Sequence, residues 1–92
     1  MSHTIREKTK LLNRVRRIRG QIEAVERALD GEIGCAEILQ LIAGVRGAIN
    51  GLMGEVMEDH ICMHLVDPTR EQDVQRAEAA KELIEVVRSY LK

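Results

Sequence analysis

Apolar residues recur along this chain at helical intervals. Leu11, Val15, Ile18, Ile22, Val25 and Leu29 step by 4, 3, 4, 3, 4, which places them on one face of an amphipathic helix. Thr4 with Glu7 three positions later reads as a capping box and starts this helix near residue 5. Asp30-Gly31 stops it near residue 29, and Gly34 keeps the turn short. Ile38, Ile42, Val45, Ile49, Leu52 and Val56 repeat the 4, 3, 4, 3, 4 rhythm, which continues to His60 and His64 without a breaker before Asp67-Pro68. Ala77, Ala80, Ile84, Val87 and Leu91 step by 3, 4, 3, 4, with Thr69 and Gln72 as a second capping box. The predicted elements are three helices, about 5–29, 35–66 and 70–91, with no competing strand pattern.

The middle helix is too long for a chain of this size. At 1.5 Å per residue it runs ~48 Å, whereas a compact domain of this length is roughly 30 Å across. Its apolar seam needs a second chain to cover it, so an obligate oligomer is expected. Gly44, Gly47, Ala48, Gly51 and Gly54 line the same helix. Each Gly costs ~1 kcal/mol of helix propensity against Ala, and close helix–helix approach along the seam would offset that cost.

Composition supports packed helices. The 92 residues include no Trp or Phe and one Tyr, with 45% hydrophobic and 32% charged residues. A core of Leu, Ile, Val, Met and Ala suits a single all-α domain over residues 1–92. No apolar run reaches a membrane span or a signal peptide, so the expected address is the cytoplasm, with Cys35 and Cys62 reduced.

The net charge of −1 hides an asymmetry: residues 1–20 carry seven bases and one acid, and the remainder seven bases and fourteen acids. A basic end of this kind suits an anionic partner. Neither helix-turn-helix nor zinc-finger spacing is present. Lys10, Arg14 and Arg17 with Arg46, followed by Arg16 and Arg19, are the candidate cations for that partner. No nucleophile–base pair, phosphate loop or carboxylate pair suggests an enzyme. A metal-storing or scaffolding helical module is the other class open to this composition.

The candidate chemistry lies at the ends of the middle helix. His60 and His64, four apart, share a helical face and can grip one transition metal. Cys35 opens the same helix, ~37 Å away along its axis. Thiolate and imidazoles can therefore meet only between chains. An antiparallel partner whose two-fold axis crosses near Ala48 brings Cys35 of one chain to residues 60–64 of the other, giving two equivalent sites. Cys62 is about 200° around the helix from His60 and faces away from the pair. At the N-terminus, removal of Met1 would expose the α-amine of Ser2 beside the His3 imidazole, a good nickel- or cobalt-binding arm.

The stretch Arg14-Val15-Arg16-Arg17-Ile18-Arg19-Gly20-Gln21-Ile22, then Ile42-Ala43-Gly44-Val45-Arg46-Gly47-Ala48-Ile49-Asn50-Gly51-Leu52-Met53, with Cys35, His60 and His64, resembles the copper-, nickel/cobalt- and formaldehyde-sensing family of bacterial repressors. The resemblance covers essentially the whole chain. It implies an all-α, three-helix protomer with a long central helix, forming an antiparallel dimer that assembles into a dimer of dimers. It also implies that the anionic partner of the candidate cations is operator DNA, and that an inducer weakens this binding. Copper sensors of the family present Cys, His, Cys; here His64 stands in the last position, which disfavours Cu(I). The nickel/cobalt branch presents His, Cys, His, His, matched by His3, Cys35, His60 and His64, and Ser2-His3-Thr4-Ile5-Arg6 is similar to that branch. Ni(II) or Co(II) is then the expected effector, with Zn(II) a non-cognate ion. Formaldehyde sensors are close relatives, and some share the same four residues. They begin with Pro after Met, where this chain has Ser2; a Ser2 amine bridged by formaldehyde to Cys35 is the alternative.

Overall fold

The computed structural model describes residues 7–91. Among them are three helices, α1 (Lys8–Asp30), α2 (Cys35–His64) and α3 (Val74–Tyr90), and no strand. The 30-residue α2 is the common element: α1 packs back along it, and α3 packs more thinly against its second half. The expected all-α fold with a long central helix is present. Thr4, the first half of the expected N-terminal capping box, lies outside the described residues, and Glu7 caps α1 with no side-chain hydrogen bond.

Three boundaries differ from expectation. Helix α1 begins at Lys8 rather than near residue 5, with Glu7 as its N-cap. Helix α3 begins at Val74, four residues later than the Thr69–Gln72 pattern suggested. The Asp67 side chain accepts from both the backbone N–H and the hydroxyl of Thr69, at 2.9 and 2.6 Å. Its carbonyl accepts from the N–H groups of Arg70 and Glu71. Those bonds close a turn around Pro68 and use Thr69 there. Asp73 caps α3 instead, accepting from the N–H groups of Gln75 and Arg76 at 3.0 and 3.3 Å. Helix α2 ends at His64 rather than 66, with Leu65 N–H and Val66 N–H both donating to the Ile61 carbonyl.

Helix α1 ends where the sequence suggests, with Asp30 its last residue and Gly31 its C-cap, and the left-handed position falls one residue later. Gly31 keeps right-handed angles, φ −83°, and Glu32 takes the left-handed position, φ 53°. Ile33 N–H donates to Ala28 O and Glu32 N–H to Leu29 O. This is a Schellman closure with Glu32 where glycine is usual.

The molecule measures 57 × 25 × 14 Å with a radius of gyration of 17.1 Å, against about 12 Å for a compact domain of this length. Its thickness is little more than one helix with its side chains. Among the described residues only five apolar side chains are buried, namely Leu11, Ile18, Ala28, Ile61 and Ala80. Much of the predicted α1 seam faces outward, since Val15, Ile22 and Leu29 are all exposed.

The glycine stripe does not share the apolar seam of α2. At about 100° per residue, Gly44, Gly47, Gly51 and Gly54 cluster about 150° away from Ile42, Ile49, Met53, His60 and His64. The structure shows what two of them do. A Cβ on Gly51 would sit 3.1 Å from the Arg14 guanidinium of α1, and one on Gly54 would sit 3.2 Å from the Arg88 side chain of α3. These two glycines admit arginines from helices of the same chain. Nothing lies within 4 Å of a Cβ built at Gly44 or Gly47.

Candidate functional site

Helix α2 presents one open face. Cys35, Ile42, Ile49, Met53, His60 and His64 fall within about 60° of one another around its axis. Ile42, Ile49 and Met53 are exposed large hydrophobics. Cys35 is the first residue of the helix and is exposed, as are His60 and His64 at the other end. The face is thus an apolar strip with a thiol at one end and two imidazoles at the other.

The two imidazoles are together. Their ring centroids are 4.4 Å apart, with planes inclined at 39°. This is the one-turn neighbourhood that the four-residue spacing predicts. Cys35 is not with them. Among the described residues no group of three His, Cys, Asp or Glu side chains is placed to share a metal ion. The donor types fit a borderline transition metal, and among the described residues of one chain the only expected ligands brought together are the histidine pair. Ser2 and His3, the other expected ligands, lie outside the described residues. Cys62 is half-buried, on a different side of α2 from the open face.

The basic surface divides into two stripes. Lys10, Arg14 and Arg17, with Thr9 and Asn13, line an open concavity along α1. Arg16 and Arg19 are roughly 130–170° round the helix from that group. Both are exposed, and Arg16 Nη1 donates to Asn13 Oδ1 at 3.2 Å. Arg46 is exposed on α2. The six expected cations therefore do not form one patch on a single chain; three of them share a concavity.

A residue that sequence reasoning missed lies beneath those cations. Glu55 of α2 is largely buried, its side chain 13% exposed, and Arg14 Nη2 donates to its Oε1 at 2.7 Å. Lys10 Nζ is 3.6 Å from the same oxygen and 3.8 Å from Glu7. Gly51, one turn earlier on α2, leaves the space that Arg14 occupies. The only trace of this in the sequence is the Gly51/Glu55 spacing of four, and nothing in one chain's sequence says which helix that face meets.

Comparison with known proteins bears on the function of this arrangement. The family described as metal-sensitive transcriptional repressor matches residues 7–89, which takes in all three helices, the histidine pair and the basic face. The chain belongs to that family. Metal-sensitive repressors of this family are regulators that bind operator DNA, not enzymes. The chain is 53% identical over 97 residues to a Serratia marcescens protein known as the uncharacterized protein in the bioA 5′ region, with all of both chains covered. It is 45% identical over 92 residues to the transcriptional repressor RcnR of Citrobacter koseri, again with full coverage of both. Among solved structures it resembles a glutamate-to-histidine variant of the formaldehyde-responsive regulator FrmR from Salmonella enterica serovar Typhimurium. That likeness has a TM-score of 0.64 and 49% identity, covering 92% of this chain and 94% of the other. Among the described residues of this repressor, no helix is long and apolar enough to cross a membrane.

Proposed function

We propose that this repressor, acting in the cytoplasm as one sensing and DNA-binding unit over residues 1–92, releases its operator on binding Ni(II) or Co(II) and so controls metal efflux genes. The observation that carries the reading is the open face of α2, with Cys35 at one end and the His60–His64 pair at the other. Two such faces packed antiparallel, crossing level with Ala48 and Ile49, bring each thiol to the partner's imidazoles. The apolar strip between them is then covered twice by one contact. Two of these dimers make the tetramer.

In this arrangement Cys35, His60 and His64 hold the ion together with His3 and the Ser2 amine, and a water or other oxygen completes six-coordination. A mostly nitrogen set with one thiolate suits Ni(II) and Co(II); Zn(II) is a non-cognate competitor. The ligating N-terminal segment runs directly into Lys10, Arg14 and Arg17. Drawing it to the site changes how those cations meet phosphate. Arg16, Arg19 and Arg46 extend the DNA surface in the assembled repressor. Such coupling is typically worth ~1–3 kcal/mol and is reciprocal, so operator DNA weakens metal binding by the same factor.

The second reading is a formaldehyde-responsive repressor in which formaldehyde bridges the Ser2 amine and Cys35. The 49% identity to a formaldehyde-responsive regulator favours it specifically. Anaerobic titration of the reduced, metal-free protein with Co(II) against a competing chelator separates the two. The metal reading expects tight binding with a thiolate-to-cobalt band that Cys35→Ala abolishes, and weak six-coordinate ligand-field bands. Weak binding, or a strong four-coordinate spectrum, refutes it. Mass spectrometry of formaldehyde-treated protein then looks for the methylene bridge between Ser2 and Cys35.

A further inference from the structure

We infer that Glu55 is a competing anion built into the DNA-binding surface, which holds Lys10 and Arg14 in the free repressor and must give them up when they bind phosphate. This rests on the reading of Lys10 and Arg14 as DNA-binding cations.

The geometry is that of competition. Arg14 gives a short hydrogen bond of 2.7 Å to Glu55 Oε1, and Lys10 approaches the same oxygen at 3.6 Å. A carboxylate that served only to aim Arg14 would have no need to gather a second cation. The exposures run in the same order: the Lys10 side chain is 60% exposed, Arg14 35% and Glu55 13%. The cations reach solvent from the rim, while the carboxylate is anchored between α1 and α2. Glu55 cannot follow them outward to a phosphate. Its second oxygen is buried and accepts no hydrogen bond, so its charge is matched chiefly through the Oε1 contacts.

The surroundings reinforce this. Glu55 lines a polar cleft of about 150 Å³ with Glu7, Glu58, Asp59, Lys10 and Arg88. A mainly acidic wall repels an approaching phosphate unless the two cations screen it. Carboxylate and phosphate compete for the same cationic charge and the same guanidinium geometry, so the charge that Glu55 neutralises, and the inward pose it gives Arg14 and Lys10, count against their contacts with DNA. A small shift of α2 against α1 that tightens this contact withdraws two cations from the DNA at once.

The test compares Glu55→Gln with the parent full-length repressor. Fluorescence anisotropy follows binding to a labelled duplex from the promoter region preceding its own gene, over a salt series. Gln keeps the shape and removes the charge. The expected result is operator binding about tenfold tighter at moderate salt. The slope of log affinity against log salt should steepen by about one for each cation freed. Arg14→Ala should weaken binding and make the slope shallower, and Glu55→Gln should gain less in that background. Gly51→Ala provides an independent route should Glu55→Gln not fold. Its Cβ would lie 3.1 Å from Arg14 Nη1 and push the guanidinium by a few tenths of an ångström, loosening the bond to Glu55, and it should also tighten binding. Unchanged or weaker binding by a folded Glu55→Gln, or by Gly51→Ala if only that variant folds, overturns the competition while Arg14→Ala still weakens binding. Full binding by both Lys10→Ala and Arg14→Ala overturns instead the DNA role of this face, and the competition with it.

Discussion

Replacing Ile49 with aspartate separates the properties of one chain from those of the assembly. In the single chain Ile49 is 40% exposed on the open face of α2. A polar substitution there costs the isolated protomer about 1–2 kcal/mol, through the part of the isoleucine already covered and the lower helix propensity of aspartate. In the proposed antiparallel dimer the same side chain would lie beside the two-fold axis. Full burial of an isoleucine is worth about 1.5–3 kcal/mol, so covering the part that remains exposed contributes about 1 kcal/mol per copy. Two-fold symmetry uses the residue twice, giving about 2 kcal/mol per dimer, or roughly thirtyfold in dissociation constant. A buried unpaired carboxylate adds to that loss. Sedimentation equilibrium over a range of protein concentrations measures the dissociation constant, and urea unfolding at matched concentrations separates dissociation from unfolding. The expected outcome is a dimer weakened at least thirtyfold, and unfolding midpoints that fall with dilution. An Ile49→Asp protein with unchanged assembly at every concentration would refute the proposal that this face meets a partner.

Other substitutions test the local physics. Glu32→Gly should stabilise the protein by about 1 kcal/mol in thermal unfolding, because Glu32 holds a left-handed φ of 53° that glycine adopts without a Cβ penalty. Asp73→Ala should destabilise it by about 1 kcal/mol, with helix loss in circular dichroism, because two N–H groups at the start of α3 lose their acceptor. Gly47→Ala should stabilise α2 by about 1 kcal/mol, since its Cβ would meet nothing within 4 Å; destabilisation there would show that another chain occupies the space. Arg17→Ala should weaken operator binding and reduce its salt slope by about one, whereas an equal affinity and slope would remove Arg17 from the phosphate contacts.

The three helices were legible from apolar spacing, because burial on one side of a helix imposes a 3–4 rhythm that needs no tertiary information. The histidine pair was legible for the same reason: residues four apart on a helix are neighbours whatever surrounds them. The length of α2 announced an elongated shape, since 1.5 Å of rise per residue is a local constant. Other features depended on which partners compete for a group. The sequence pointed to Thr69 as the cap of α3, and the Asp67-Pro68 turn takes Thr69 and leaves the cap to Asp73. The stop at Asp30-Gly31 was legible, but the hydrogen bonds from Glu32 and Ile33 decided that Glu32 takes the left-handed position. The glycines of α2 read as part of its apolar seam, and only the packing of Arg14 and Arg88 showed Gly51 and Gly54 turned toward α1 and α3. Glu55 is the plainest case. Its pairing with Lys10 and Arg14 joins residues more than forty positions apart, and no periodicity encodes it. Local geometry repeats along a chain and can be read from its letters, whereas a contact between helices exists only once both have been placed.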